Sequence, residues 1–289
     1  MSPQDVLANR NRAILLMLAA VFCFSMMDAS AKALSPRVGI LTGLWARYAG
    51  QMVLVLILVA PRLHRVARTR YPVLQVLRSF LLMGATAFFF SALTLLPLSD
   101  AASIMATNPV LITLGAAVFL GESLGPRRIA GIVAALIGAT IIMRPGSDVF
   151  TPMAVLPLLA ACCYSGYALL TRRVGADEDP WTSLFYTGLV GTILLSIVVP
   201  FGWQTPDGIA ILLILSLSGF GTLAQMLLIK AFSSGEATML APYAYCGLIF
   251  ATLWGMACFD EYPDIWTICG TLVIAGAGIY VWHRETYRG

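Results

Sequence analysis

The residues with the greatest chemical capacity in this chain are charged groups standing inside long apolar stretches. Asp28 and Lys32 lie four apart and so share one face of a helix, and Arg47 stands several residues inside the next apolar stretch. A charge within a bilayer costs about 2.5–3.5 kcal/mol on insertion scales, so each one is either paired or put to use. For Asp28 and Arg47 both roles are open: a structural ion pair, or ligation of a charged solute. For Lys32 the expected role is structural, with a buried stem and an ammonium reaching the outer interface. Asp28 is the one deeply placed carboxylate, so a transport cycle coupled to protons would use it as the carrier.

Polar and aromatic groups suited to a ligand cavity occur in the same stretches. Pro109 and Pro242, read as lying inside helices, free the carbonyls of Met105 and Thr238. At membrane depth such groups are tolerated where protein or a wet cavity satisfies them. Two outcomes are open for each proline: a bent helix beside a central cavity, or a kink satisfied by a neighbouring hydroxyl. Asn108 precedes the first proline, and Tyr243 and Tyr245 follow the second. Tyr164 and Tyr167 share a helix face, and Trp45, two residues before Arg47, is placed to pair a ring with a cation. Trp254 adds a further ring and Gln225 a further hydrogen-bonding group.

Other chemistries are absent. Cys23, Cys162, Cys163, Cys246, Cys258 and Cys269 lie in apolar runs without CxxC spacing or a nearby histidine pair, against a metal centre or a disulfide framework. His64 and His283 fall at the edges of apolar runs, and HExxH, GxSxG and Walker A sequences do not occur. Neither an enzyme nor a cofactor is expected.

The elements that must position these side chains follow from composition. Of 289 residues 59% are hydrophobic and 11% charged, against about 25% charged in a soluble domain. The solvent is lipid. A spanning helix needs roughly 20 apolar residues, and the runs fall near 13–34, 40–60, 73–95, 101–120, 127–143, 153–171, 182–201, 208–231, 238–259 and 265–283. The expected fold is therefore an all-α integral membrane protein with ten transmembrane helices, since continuous runs disfavour a β-barrel. The first run, with Arg10 and Arg12 before it and Ala29-Ser30-Ala31 at its end, imitates a cleavable signal peptide, but the same kind of segment recurs in the second half.

With the N-terminus placed in the cytoplasm, fourteen of the eighteen Lys and Arg residues fall on the cytoplasmic side, Arg78 among them, and only Lys32, Arg37 and Arg144 outside. That asymmetry puts both termini in the cytoplasm and accounts for the net charge of +4 without nucleic-acid binding. Sliding the chain by 139–140 residues aligns Leu18, Cys23, Phe24, Ser25 and Lys32 with Leu158, Cys163, Tyr164, Ser165 and Arg172, and Glu122 with Glu261. The expected unit is five helices repeated once, residues 1–146 and 147–289. Because five is odd, the second copy is inverted, which is a transporter architecture suited to alternating access. Glu122 and Glu261, each just before a helix, are expected to favour that helix's positive end. Small residues at four-residue spacing, Ala130, Ala134 and Gly138 in the fifth span and Gly270 with Ala275 to Gly278 in the tenth, suit scaffolding or dimer contact.

The stretches from Pro97 to Gly146 (PLSDAASIMATNPVLITLGAAVFLGESLGPRR and onward), the counterpart from Ala241, and FCFSMMDASAK at Phe22–Lys32 resemble the ten-helix drug/metabolite transporter superfamily of the EamA type. Arg47 and Arg78 match arginines common near its second and third spans. The resemblance covers almost the whole chain and is nearest to the YddG-type exporters of aromatic amino acids. It implies a bacterial inner-membrane protein whose cavity is lined by spans one to four and six to nine, with five and ten behind. The solute is then an aromatic or other neutral amphipathic amino acid, ringed by Trp45, the tyrosines and Trp254, with Asp28, Arg47, Asn108 and Gln225 at its polar end. Two alternatives stay open: a same-fold carrier of an adenosyl metabolite such as S-adenosylmethionine or of a cationic drug, and a non-transporting membrane receptor or scaffold. Asp28 without a paired Arg47 would favour cations, and an exposed Arg47 a carboxylate.

Overall fold

A computed structural model describes residues 3–120, 126–144, 154–175, 178–234, 240 and 243–288. The described residues are helical, without strands. In chain order the helices are α1 (Pro3–Val59), α2 (Leu63–Val66), α3 (Pro72–Leu93), α4 (Leu98–Met105), α5 (Asn108–Leu120), α6 (Pro126–Met143), α7 (Val155–Gly175), α8 (Pro180–Val198), α9 (Gly208–Ser234), α10 (Cys246–Phe259) and α11 (Ile265–Arg288). Four runs have the length and apolar composition to cross a membrane: Asn11–Val66, Pro72–Leu93, Pro180–Gly202 and Gly208–Ala231. Shorter apolar helices cover Ile129–Met143, Val155–Thr171, Cys246–Phe259 and Ile265–Tyr280.

Two breaks shape the centre. In α1, Pro36 lacks the amide hydrogen of a helical turn, and three residues later Gly39 takes φ 72°, ψ 166°. That conformation is open to glycine and strained for other residues. The run is thus two arms, 3–38 and 40–59, which is how Asp28 and Arg47 come to stand on different arms. The second break lies between α4 and α5. Pro109 sits in the first turn of α5, where its missing N–H costs nothing, so the expected bend is a full interruption at residues 106–107. Thr107 bridges it, its hydroxyl donating to Ile104 O at 2.8 Å while its own carbonyl accepts from Val110 and Leu111. Ser165 on α7 donates to Ala161 O at 2.7 Å, and its oxygen also stands 3.2 Å from Asn108 O beside the break. Pro242 and Glu122 lie outside the described residues.

The first arm of α1 meets α9 at Ser30 and α10 at Ser25, and its second arm meets α9 at Ala46, α8 at Gln51 and α3 at Tyr48. Ser218 Oγ donates to Ala46 O at 3.0 Å, and Ser30 and Ser216 share a 2.8 Å hydroxyl contact. The helices α3 and α7 pair, as do α6 and α11. In the latter pair the small residues meet within the chain: a Cβ on Gly138 would lie 2.9 Å from Gly270 O, and one on Gly270 would lie 2.6 Å from Gly138 O. Of the two roles open for these stripes, scaffolding is the one these glycines serve.

Candidate functional site

Between α1, α3, α4, the start of α5, α7, α9 and α10 lies a cavity of about 220 Å³. Asp28, Arg47, Asn108, Tyr164, Tyr167 and Gln225 all line it. These are six side chains that the sequence singled out, drawn together from four helices. Phe24, Phe89 and Phe90 supply further ring surface, and Ser25 and Thr86 further hydroxyls.

Three of the expected residues stand elsewhere. Trp45 donates its indole N–H to Ser196 Oγ at 2.9 Å and meets Trp203 edge-on, facing α8 and its C-terminal turn. Trp254 stands one layer behind the wall, donating to Ser25 Oγ at 3.1 Å and leaning on Phe22. Tyr243 packs against the cluster of Ala13, Met17, Ala231 and Leu240.

The two central charges are not joined. Asp28 has no hydrogen-bond or ion-pair partner among the described residues. Arg47, 1% exposed, donates from Nη1 to Gln51 Oε1 at 3.0 Å, and Gln51 in turn donates to Leu184 O on α8 at 3.2 Å. The guanidinium also stands 5.4 Å from the centre of the Tyr48 ring, and its Nε finds no acceptor. It is therefore oriented by a neutral amide and makes no ion-pair contact, although the field of Asp28 reaches it. Such a group keeps its capacity to bind an anion.

Three side chains take partners that the order of the chain hides. Lys32 has the structural role expected of it, in an ion pair: its Nζ lies 2.6 Å from Glu261 Oε1 and donates to Leu96 O at 2.7 Å. Glu261 Oε2 accepts from Leu98 N at 2.9 Å, so this carboxylate serves the N-terminus of α4, not that of the helix following it in sequence. Arg78, counted with the cytoplasmic edge, is 1% exposed. It donates to Gln75 Oε1, Ser183 O and Thr187 Oγ1 at 3.1–3.2 Å and stands 5.2 Å from the Tyr167 ring centre, directly behind the cavity wall. Its place six residues into an apolar run is the same signal that marked Arg47.

At the end of α3 near Arg78, Glu178 ties the α7–α8 connection to the start of α3. It accepts from Thr69 Oγ1, from Arg70 N at 2.7 Å and from Gln75 Nε2 at 2.5 Å. Partial burial alone would raise its pKa, but the hydrogen bonds from Thr69, Gln75 and the Arg70 and Tyr71 amides outweigh burial and hold the carboxyl below its ordinary range. Among the described residues no cluster of His, Cys, Asp or Glu could hold a metal ion.

The sequence profile of the EamA-like transporter family matches residues 11–144 and again residues 151–282. The chain is 28% identical over 218 residues to an S-adenosylmethionine uptake transporter of Rickettsia felis, covering 75% of this chain and 74% of that protein. It is 28% identical over 280 residues to a riboflavin transporter of Brucella anthropi (93% and 98% covered). A pseudopaline exporter of Pseudomonas aeruginosa is 30% identical over 274 residues (92% and 94% covered). A crystal structure of a protein with 21% identity matches at a TM-score of 0.66 over 95% of this chain and 98% of that one, a likeness of fold alone. The solutes these relatives are named for are S-adenosylmethionine, riboflavin and pseudopaline, so the resemblance is shown at the level of the family, without the YddG type being singled out.

Proposed function

The chain belongs to the EamA-like transporter family, and from that premise we propose that it carries small amphipathic solutes with an amino-acid head, aromatic and neutral amino acids or related metabolites, and exports them. As a member of this family it is a multi-pass membrane transporter of small molecules and not an enzyme. The finer topology completes the reading: ten spans in two inverted five-helix repeats, 1–146 and 147–289, termini in the cytoplasm of a bacterial cell and the cavity alternately open to each side of the inner membrane.

The observation that supports this solute class is the pair of charges in one cavity without an ion pair between them. Asp28 offers an unpartnered carboxylate to an ammonium, and Arg47 offers a carboxylate partner held in place by Gln51. Asp28 without an ion pair to Arg47 is the arrangement expected to favour a cation; Arg47, 1% exposed but lining the same cavity, adds a place for a carboxylate, and the two together suit a zwitterion. Phenyl and phenol rings around them suit an apolar body.

Counterflow in proteoliposomes tests this. Purified protein should accelerate exchange of labelled tryptophan or phenylalanine over protein-free vesicles. No acceleration for any amino acid or amino-acid-headed metabolite would remove the solute assignment and leave the family standing. A second reading, a carrier of adenosyl metabolites in the same fold, is favoured by the named uptake transporters and by one side chain of the cavity.

A further inference from the structure

That side chain is Gln225. It lies on α9 with 4% of its surface exposed and lines the cavity, and its Oε1 is buried without a hydrogen-bond partner among the described residues. Of the other polar groups of the cavity, Arg47 is directed by Gln51, and Ser25 accepts from Trp254. A buried acceptor with no donor is costly to keep, and a donor on the solute removes that cost only while the solute is bound. A carboxamide presents a donor and an acceptor side by side, so exchanging its oxygen and nitrogen preserves the pattern. It matches a ring edge on which an N–H stands next to an acceptor. The edge of adenine is of this kind, and glutamine reads it with two hydrogen bonds in nucleic-acid recognition. A phenyl ring offers neither group, and an indole offers only the donor.

The cavity places this amide where a ring would lie. One turn earlier on α9, Gly221 rests against Arg47: a Cβ there would stand 3.1 Å from Nη1 and 3.2 Å from Cζ. Four helical residues rise about 6 Å, so Gln225 is displaced by one turn from the guanidinium that would take a carboxylate. Rings of Phe24, Phe89, Phe90, Tyr164 and Tyr167 line the same space and offer faces for stacking. We infer that Gln225 determines specificity for the solute's ring, selecting an amino-acid-headed solute whose heteroaromatic ring carries an adjacent donor and acceptor, as adenine does. This rests on the reading of Asp28 and Arg47 as the site of the head group.

The experiment compares binding of S-adenosylhomocysteine with that of its counterpart lacking the exocyclic amine, by thermal shift and competition counterflow with the purified full chain, alongside free adenosine, tryptophan and phenylalanine. The expected result is at least tenfold tighter binding of the adenine compound, since a site built to bond an N–H discriminates strongly against its absence. Gln225→Leu should bring that ratio close to one, whereas Gln225→Glu, which still accepts from the amine but no longer donates to the ring nitrogen, should keep a preference for the amine while weakening both compounds. The wild-type ratio requires no variant, so misfolding of either substitution leaves the test intact. A wild-type ratio near one, a ratio that persists in Gln225→Leu, or tryptophan or phenylalanine bound more tightly than the adenine compound overturns the inference without touching the head-group reading. Adenosine bound as tightly as S-adenosylhomocysteine overturns the head-group reading and leaves the ring reading of Gln225 intact. No binding of any of these compounds overturns both.

Discussion

Lys32 Nζ stands 2.6 Å from Glu261 Oε1, and through that contact α1 is tied to the turn that follows α10. The same two side chains hold the α3–α4 connection, Lys32 by donating to Leu96 O and Glu261 by accepting from Leu98 N. Three segments distant in sequence therefore meet at one ion pair, one helical turn along α1 from Asp28. The pair also lines an open recess bounded by Pro36, Gly39, Leu93 and Phe259.

Disruption of this pair should weaken the fold from both sides. Its side chains are 12% and 23% exposed, between surface pairs worth under ~1 kcal/mol and buried ones that cost ~3–5 kcal/mol to break. Lys32→Glu should lower stability by about 2 kcal/mol, read as thermal unfolding in detergent, because it sets two carboxylates against each other. The exchange Lys32→Glu with Glu261→Lys should recover part of the loss. No recovery would mean that the backbone contacts, and not the pairing of charge, are what matter.

Asp28 and Arg47 should separate by solute charge. Arg47→Met should raise the KM for tryptophan by at least about tenfold, equivalent to ~1.4 kcal/mol, while leaving tryptamine, which lacks the carboxylate, within about twofold. Asp28→Asn should show the reverse preference for solutes lacking the ammonium. Equal losses for all solutes in both variants would assign the two residues to structure.

Glu178 predicts a pH dependence confined to acid. Its native pKa is held below the ordinary 4.5, so its hydrogen bonds stabilise the fold fully above the unfolded value and lose that effect as pH falls through the lowered native value. Glu178→Gln should cost about 1 kcal/mol at neutral pH, discounted for partial exposure. The gap from wild type should close below about pH 4. Unfolding midpoints measured across pH 3–8 check this, and a gap that widened in acid would contradict the sign.

The α6–α11 crossing should tolerate no added volume. Gly270→Ala would put a methyl 2.5 Å from Ile142 Cγ1 and 2.6 Å from Gly138 O, and overpacking of this kind costs about 1–3 kcal/mol. Because the crossing lies behind the cavity, stability should fall with little change in KM for any transported solute.

Much of the site was legible before any tertiary information. An ionisable or amide side chain in an apolar run announces itself by the cost of its burial, and Asp28, Arg47, Asn108 and Gln225 all line the cavity. The tyrosine pair was legible from its three-residue spacing. Trp45, Trp254 and Tyr243 were not separable from these, because a ring at the right spacing suits a cavity wall and a helix contact equally well. Only the neighbours across the gap, Ser196 and Trp203 for one, Ser25 for another and the Ala13 cluster for the third, decide which it is.

By itself the sequence determined the solvent, the helical class, the two similar halves and the short set of polar side chains placed within apolar runs, because hydropathy and periodicity are properties of neighbours along the chain. Tertiary structure decided the partners. Lys32 closes on Glu261 across more than two hundred residues, Arg47 is oriented by Gln51 while Asp28 stays out of any ion pair, and Arg78 is buried against α8. Distance through space sets which charge meets which, and the spacing along a chain broken at Gly39 and again before Asn108 carries no measure of that distance.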